Sequence, residues 1–318
     1  MKAYAIHDPE KPASIVTVPK PDVGPREVLV AIRAASVNGI DVFQANGYLL
    51  GMMEHRFPSV IGRDLAGVVE AVGEEIVGLV VGDEVFGYVP MTPPVERGSF
   101  AEWVSAADLV LARRPAALGS DEAAALPLAG SAALDLLDAV GIGEGDTLLV
   151  VGATGGVGSI VVQLATASGA TVIATARPDE VAFIRDLGAS DTIDYTGGGV
   201  GDAIRARHPD GITALIDLVT QRDALTELGS IVASGGRVAT LMGAADLDHF
   251  AGRGVTAANV NARPTAQKLE HLASLASSGE LRVPIQAVYP LDRAGEALAA
   301  FQQGTRGKLV LHIAPDAG

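Results

Sequence analysis

The sequence of 318 residues contains no cysteine. This absence excludes a disulfide framework, a thiolate nucleophile, an iron–sulfur cluster and a zinc site with cysteine ligands. A reducing cytoplasm suits such a chain, and we expect a cytoplasmic protein. Residues 1–9 lack the apolar core of a signal peptide, and no apolar run of about 18 residues follows. Neither a secreted nor a membrane-spanning protein is predicted.

Basic residues are also scarce. The chain has 23 Lys and Arg against 38 Asp and Glu, which gives a formal net charge of −15. We expect no nucleic-acid partner, because phosphate backbones require clustered Lys and Arg. Hydrophobic residues make up 48% and charged residues 19%, proportions that are typical of a folded globular protein. The length predicts about two domains.

The hydrophobic pattern changes along the chain. Short strand-like segments separated by turns, such as residues 28–34, 68–72 and 82–87, predict a barrel-like β unit. From Thr147 onwards, apolar strands alternate with helices, as in a parallel sheet covered on both faces. The last segment is too short to fold alone. We therefore predict a discontinuous domain of residues 1–115 and 282–318 and a second domain of residues 116–281.

A glycine-rich loop follows the first strand of the second domain. The loop, VVGATGGVGS at 150–159, connects an apolar strand to an apolar helix. Glycines there permit a tight turn and let backbone N–H groups approach a pyrophosphate at the start of the helix. A tight turn without a ligand is the alternative, but a second strand about 20 residues later favours a dinucleotide. The candidate binding residues of the loop are Ala153, Thr154, Gly155, Gly156, Val157 and Gly158.

The end of that second strand indicates which dinucleotide is bound. An acidic residue at this point would bind the ribose 2′-OH of NAD and repel a 2′-phosphate. Arg177 stands there instead and can pair with a 2′-phosphate through two hydrogen bonds, and Thr175 can add a hydroxyl. NADPH is therefore the predicted cofactor, although Arg177 can also be read as a solvated residue at a helix start.

Short motifs follow one another in a defined order along nearly the whole chain. They are ASVNGID at 35–41, GRDLAG at 62–67, VGDEVFG at 81–87, GGVG at 155–158, DLGA at 186–189, GGR at 235–237 and GKLV at 307–310. With these motifs the chain resembles the zinc-independent members of the medium-chain dehydrogenase/reductase superfamily, of the quinone oxidoreductase (ζ-crystallin-like) type.

This resemblance implies a two-domain α/β fold. It consists of a GroES-like β-barrel catalytic domain and a Rossmann domain with a doubly wound parallel sheet, with substrate and nicotinamide in the cleft between them. It also implies a homodimer formed by edge strands, for which residues 255–260 are the candidate. Tyr195 matches a family position beside the 2′-phosphate or the adenine.

The resemblance also indicates that the catalytic metal is missing. Zinc alcohol dehydrogenases have Cys where this chain has Asn38, and a His-Glu pair where it has Arg63 and Asp64. The six His residues show no paired ligand spacing either. Without a Lewis acid, a hydrogen-bond donor stabilises a developing oxyanion by only about 3–4 kcal/mol. The predicted acceptor is therefore a quinone or an α,β-unsaturated carbonyl, which delocalises the charge itself.

The family pattern places three candidate catalytic residues near the nicotinamide. Asn38 is expected to donate a hydrogen bond to the acceptor oxygen or to the carboxamide of the nicotinamide. Asp41 is expected to orient Asn38. Tyr48 is expected to donate a proton or to line the substrate site. The structural alternatives are a turn cap for Asn38, an N-terminal helix cap for Asp41 and packing for Tyr48. Lys308 either reaches the cofactor or is solvated. Two other functions stay open: reduction of enoyl thioesters in polyketide-type metabolism, and non-catalytic binding of NADPH.

Overall fold

The computed structural model describes residues 1–107 and 109–313. Its contacts divide the chain into two compact units: unit 1 comprises Met1–Ala129 and Pro264–Gly318, and unit 2 comprises Gly130–Arg263. The predicted domains have the same arrangement with other boundaries. Residues 116–129 and 264–281, which the sequence analysis assigned to the second domain, belong to unit 1 by this division.

The helices and strands are short. The strands are β1 (Lys2–Ile6), β2 (Ser14–Thr17), β3 (Val28–Ser36), β4 (Ser59–Val60), β5 (Asp64–Val72), β6 (Glu84–Tyr88), β7 (Trp103–Ala106), β8 (Val110–Arg113), β9 (Thr147–Val151), β10 (Thr171–Thr175), β11 (Asp191–Ile193), β12 (Ile212–Asp217), β13 (Val232–Thr240), β14 (Thr256–Asn259), β15 (Ile285–Pro290) and β16 (Lys308–His312). The α-helices are α1 (Gly39–Ala45), α2 (Ser120–Ala125), α3 (Pro127–Val140), α4 (Gly156–Ala167), α5 (Val181–Asp186), α6 (Val200–Arg207), α7 (Arg222–Leu228), α8 (Leu247–Gly252), α9 (Ala266–Ser278) and α10 (Ala294–Gln302). Within the described part of the chain, none of these helices is long and apolar enough to cross a membrane.

Unit 1 is built around strand β3. Its larger sheet has the order β15–β16–β3–β5–β6–β8, with β7 also paired to β3, and a smaller sheet has the order β2–β1–β4. Strand β16 comes from the end of the chain and pairs with β3, so that Val310 lies opposite Ser36. Helix α2 packs against β3 and β5, and α9 packs against β8. These contacts explain why both helical segments belong to unit 1.

Unit 2 contains a six-stranded sheet in the order β11–β10–β9–β12–β13–β14. All neighbouring strands run parallel, which confirms the predicted parallel sheet. The central strands β9 and β12 bury most of their apolar residues completely, as at Leu149 and Leu215. The strand order reverses between β9 and β12. Ligands of such sheets bind where this reversal occurs, at the carboxyl ends of the strands.

Candidate functional site

Five polar side chains form a buried group in unit 1, which we call the ionic cluster. Its members are Asn38, Asp41, Arg63, Asp64 and Lys308, and none is more than 7% exposed. Asn38 precedes helix α1, Asp64 begins strand β5 and Lys308 begins strand β16. The pairing of β3 with both strands therefore brings together residues that are far apart in the sequence.

The Asn38 side chain is fully engaged within the cluster. Its amide nitrogen donates to Asp64 Oδ2 at 2.8 Å and to the Ser36 carbonyl at 3.4 Å. Its amide oxygen accepts from Lys308 Nζ at 2.6 Å. The role predicted for Asn38 is donation to an acceptor oxygen or to a carboxamide. Because both N–H bonds are already used, Asn38 instead positions Asp64 and Lys308 in this structure.

Asp41 occupies the first turn of α1. Its Oδ2 accepts from the backbone N–H of Asn38 at 2.8 Å. Asn38, and not Asp41, is thus the N-terminal cap residue, and Asp41 makes the reciprocal capping bond from the third helical position. Its Oδ1 is buried and has no hydrogen-bond partner among the described residues. Burial raises the pKa of Asp41 to about 7, although the nearby Arg63 opposes the shift. Asp41 therefore orients Asn38 through the backbone and titrates near neutral pH.

Asp64 accepts the largest number of hydrogen bonds in the cluster. Its donors are Ser36 Oγ at 3.0 Å, Asn38 Nδ2 at 2.8 Å and the backbone N–H of Leu128 at 3.0 Å. The Lys308 ammonium lies 3.8 Å from its Oδ2. Burial raises the pKa of Asp64 above its usual value, and Lys308 and these donors offset only part of that increase. Since every donor points at the carboxylate, the hydrogen bonds fit its ionised form.

Lys308 is buried rather than solvated, with 4% exposure. Its ammonium donates to the Val37 carbonyl at 3.0 Å and to Asn38 Oδ1 at 2.6 Å. Burial lowers the pKa of Lys308, and the nearby Asp64 carboxylate counters that effect. The only signal for this contact in the sequence was the GKLV motif, which says nothing about the distant partner of its lysine.

Arg63 lies where the zinc alcohol dehydrogenases have a ligand. Its Nη2 donates to Gln44 Oε1 at 2.8 Å and to the Val60 carbonyl at 3.3 Å. A guanidinium has no lone pair to offer a metal ion. Across residues 1–107 and 109–313, no three His, Asp or Glu side chains form a group that could hold a metal.

Tyr48 lies apart from the ionic cluster, on the surface of unit 1. Its side chain is 63% exposed, and those of Phe43 and Met52 are 51% and 75% exposed. The rings of Phe43 and Tyr48 meet edge to face with centroids 5.4 Å apart. The structure thus brings Asn38 and Asp41 together and leaves Tyr48 as an exposed phenol among apolar side chains.

A second tyrosine, which the sequence analysis did not select, borders the cluster. Tyr88 ends strand β6 directly opposite Asp64, so both side chains lie on the same face of the sheet. Burial raises the pKa of Tyr88 to about 12; Arg63 opposes this shift, and Asp64 and Asp41 add to it. The phenol therefore stays neutral at physiological pH. Only the pairing of β6 with β5 could have identified it.

In unit 2, the glycine loop lies between β9 and α4. Gly152 has a φ of +80°, and a Cβ at Gly158 would lie 2.2 Å from the Gly152 carbonyl oxygen. The first helical hydrogen bond runs from the Ser159 N–H to Gly155, and within the described residues no side chain caps the helix start. The N–H groups of residues 156–158 are therefore available, and the loop fits a pyrophosphate. Ala153 is buried, whereas Thr154 to Val157 are half-buried.

Thr175 differs from its predicted role as a cofactor contact. The residue is 3% exposed. Its hydroxyl oxygen accepts from the Gly152 N–H at 3.1 Å and donates to the Val150 carbonyl at 3.4 Å. This hydroxyl fastens the start of the glycine loop to β10 and is not free to bind a phosphate.

Arg177 and Tyr195 follow neighbouring strands, β10 and β11, and are 40% and 46% exposed. The Arg177 side chain donates to Glu180 Oε1 at 2.8 Å, and its backbone N–H donates to Glu180 Oε2 at 3.1 Å. Glu180 raises the pKa of Arg177, and Tyr195 and Asp179 add to the shift. Glu180 is not among the residues predicted from the sequence, although a Glu three residues after a helix-capping position is a known signal for this contact.

Family models match two segments of the chain. Residues 24–115 match the alcohol dehydrogenase GroES-like domain, and residues 187–311 match the model described as zinc-binding dehydrogenase. The chain is 33% identical to 2-methylene-furan-3-one reductase of Solanum lycopersicum, over 93% of this chain and 74% of that protein. It is 30% identical to the chloroplastic NADPH-dependent alkenal/one oxidoreductase of Arabidopsis thaliana, with the same coverage.

The solved structures give the same result. The quinone oxidoreductase of Coxiella burnetii superposes with a TM-score of 0.89 at 28% identity, covering 98% of this chain and 99% of that one. The predicted GroES-like and Rossmann domains are thereby confirmed. The chain belongs to the quinone oxidoreductase family of the medium-chain dehydrogenases/reductases, which are NAD(P)H-dependent oxidoreductases.

Proposed function

We propose that this protein uses NADPH to reduce a conjugated acceptor, either a quinone or an α,β-unsaturated carbonyl. When bound, the nicotinamide supplies the hydride. The free N–H groups of residues 156–158 bind the pyrophosphate, and Gly158 lets the helix approach it closely. Arg177 and Tyr195 bind the 2′-phosphate at the adjoining strand ends. Thr175 holds the loop in the shape that this binding requires.

The choice of acceptor rests on the hydrogen bonds that the Asn38 side-chain amide already makes. Both of its N–H bonds are donated to Asp64 and Ser36, so it cannot stabilise an alkoxide. One exposed donor in its neighbourhood along the chain is the Tyr48 phenol, which lies beside Phe43. A plain ketone would place a full charge on one oxygen, which a neutral phenol stabilises only in part. A conjugated acceptor spreads that charge over its own atoms and requires less of the protein.

Two relatives support this choice. One carries the name of an alkenal/one oxidoreductase and the other that of a methylene-furanone reductase, and both names describe conjugated carbonyl compounds as substrates. We extend that substrate class to this chain because its candidate site contains apolar side chains and one phenol. We also propose that a second copy of the chain pairs with β14, which forms one edge of the unit 2 sheet. The cytoplasmic location stays a prediction.

Oxidation of NADPH with a panel of acceptors tests the proposal. We expect turnover with 1,2-naphthoquinone or a 2-alkenal and none with the matched saturated aldehyde. Turnover of an enoyl thioester alone would favour the polyketide-type alternative. No oxidation with any acceptor, in a protein that binds NADPH, would support the non-catalytic alternative and contradict the proposal.

The role of Tyr48 is tested by Tyr48→Phe on the same panel. General acids contribute about 10²–10⁴-fold to rates. We expect kcat for the alkenal to fall within this range while KM changes little. Tyr88→Phe is the control, since that phenol lies beside the ionic cluster. An equal loss in both variants would contradict a specific role for Tyr48.

A further inference from the structure

The carboxylates around Arg177 in unit 2 bear on cofactor selectivity. Glu180 is 2% exposed and lies 2.8 Å from Arg177 Nη2. Asp179 is 63% exposed, and its Oδ1 lies 3.7 Å from Arg177 Nε. Two negative side chains therefore lie against one positive side chain, at the point where a 2′-phosphate is proposed to bind.

The two carboxylates differ in how strongly they affect an incoming phosphate. Asp179 is solvated, so water and salt screen its charge, and its long contact to Arg177 is easily exchanged. Glu180 is withdrawn from water, and it also accepts the backbone N–H of Arg177 at 3.1 Å. A phosphate that binds the Arg177 side chain leaves this backbone hydrogen bond intact, so Glu180 stays in place beside the arginine. The negative charge of Glu180 therefore persists when the phosphate is bound.

Glu180 has two opposing effects on Arg177. Glu180 holds one edge of the guanidinium in place, so that the remaining N–H groups of the guanidinium are oriented to bind an anion. It also cancels much of the single positive charge that would attract a phosphate dianion. The negative charge of Glu180 repels the full charge of a phosphate bound to Arg177. The positioning effect is limited to the rotamer entropy of the Arg177 side chain. The charge effect is therefore the larger one.

We propose that Glu180 is a specificity-determining residue: its buried carboxylate offsets the charge of Arg177, so that the site accepts NADH as well as NADPH with only a small preference for NADPH. This inference rests on the proposed binding of a nicotinamide dinucleotide at the glycine loop. Glu180 itself is buried and does not reach the ribose 2′-OH of NADH. The arginine retains enough attraction for a phosphate to be tolerated.

Calorimetric titration with 2′,5′-ADP and 5′-AMP tests this proposal without catalysis, because the two probes differ only in the 2′-phosphate. For the unaltered protein we expect their affinities to differ by no more than about tenfold. Glu180→Gln keeps the shape and one of the two acceptor oxygens while removing the charge. We expect it to bind 2′,5′-ADP about tenfold more tightly and 5′-AMP unchanged. Asp179→Asn, the matched control, removes an exposed charge and is expected to change either affinity less than about threefold.

The outcomes separate this inference from the proposed function. If Arg177→Ala leaves 2′,5′-ADP binding unchanged, Arg177 has no role with the phosphate and both proposals about this site are wrong. If Arg177→Ala weakens binding but Glu180→Gln weakens it too, Glu180 only positions the arginine and the inference alone is overturned. A preference of the unaltered protein above about a thousandfold for 2′,5′-ADP would also overturn it, whatever the variants do.

Discussion

The ionic cluster of unit 1 and the glycine loop of unit 2 use polar groups in opposite ways. In the cluster, Asn38, Asp64 and Lys308 satisfy one another and are buried. At the loop, no side chain of the described residues caps the N–H groups of residues 156–158. A closed set of hydrogen bonds holds a shape, whereas an open set binds a ligand. The comparison thus separates residues that position from residues that contact.

The largest expected effect comes from opening the closed cluster. Lys308→Met leaves the buried Asp64 carboxylate without its cation, and we expect the free energy of unfolding of unit 1 to fall by about 3–5 kcal/mol. The chain has a single tryptophan, Trp103 on strand β7 of unit 1. Its fluorescence during urea denaturation therefore measures this unit.

The exposed pair of Lys2 and Asp292 provides the matched control for Lys308. These side chains are 54% and 58% exposed and lie 3.1 Å apart. Lys2→Met is expected to change the same free energy by no more than about 1 kcal/mol, because solvent screens the pair. If Lys308→Met were as mild as Lys2→Met, the cluster would not hold the shape of this unit.

Asp41 makes the cluster sensitive to pH. Its pKa is about 7 in the folded chain and 3.8 for an unperturbed aspartate, so the folded state binds the proton more tightly. This contribution to stability is complete below pH 3.8 and is lost as pH rises through about 7. Between pH 5 and 8, we expect the unfolding free energy of the unaltered protein, relative to Asp41→Asn, to fall by about 3 kcal/mol.

Urea denaturation followed by Trp103 fluorescence across this pH range measures the change. Asp22→Asn is the control, because Asp22 is an exposed acid of the same unit. The difference in unfolding free energy between Asp22→Asn and the unaltered protein should stay constant across this pH range. A flat difference for Asp41→Asn as well would mean that Asp41 is already ionised in the folded protein at low pH.

The two regions also differ in how far the sequence predicts them. The glycine loop, its flanking strand and helix, and Arg177 all lie within about 30 residues, and local strand-to-helix signals suffice to place them. The ionic cluster joins Asn38 to Lys308, which are 270 residues apart. Its formation depends on the pairing of β16 with β3, which no local pattern specifies. For the same reason, the engaged amide of Asn38 and the position of Tyr88 emerge only from the structure.

The smallest predicted effect concerns the packing beneath the open loop. Gly158→Ala would place a Cβ 2.2 Å from the Gly152 carbonyl oxygen and 2.7 Å from Ala153 Cα, and neither backbone atom can move freely. We expect a loss of about 1–3 kcal/mol in the free energy of unfolding, as for other overpacked sites, together with weaker NADPH binding. Urea denaturation followed by circular dichroism measures the first effect, and calorimetric titration the second.

Gly155→Ala is the matched control for Gly158, because the two glycines share the loop but differ in space. A Cβ at Gly155 would meet only the Gly152 oxygen at 3.6 Å, an ordinary contact, and its φ of −72° suits alanine. Stability should therefore change little, whereas a methyl group beside the pyrophosphate should still weaken cofactor binding. The two substitutions thus separate the packing of the loop from its contact with the ligand. Equal losses of stability in both would mean that the loop is rigid for reasons other than the close approach at Gly158.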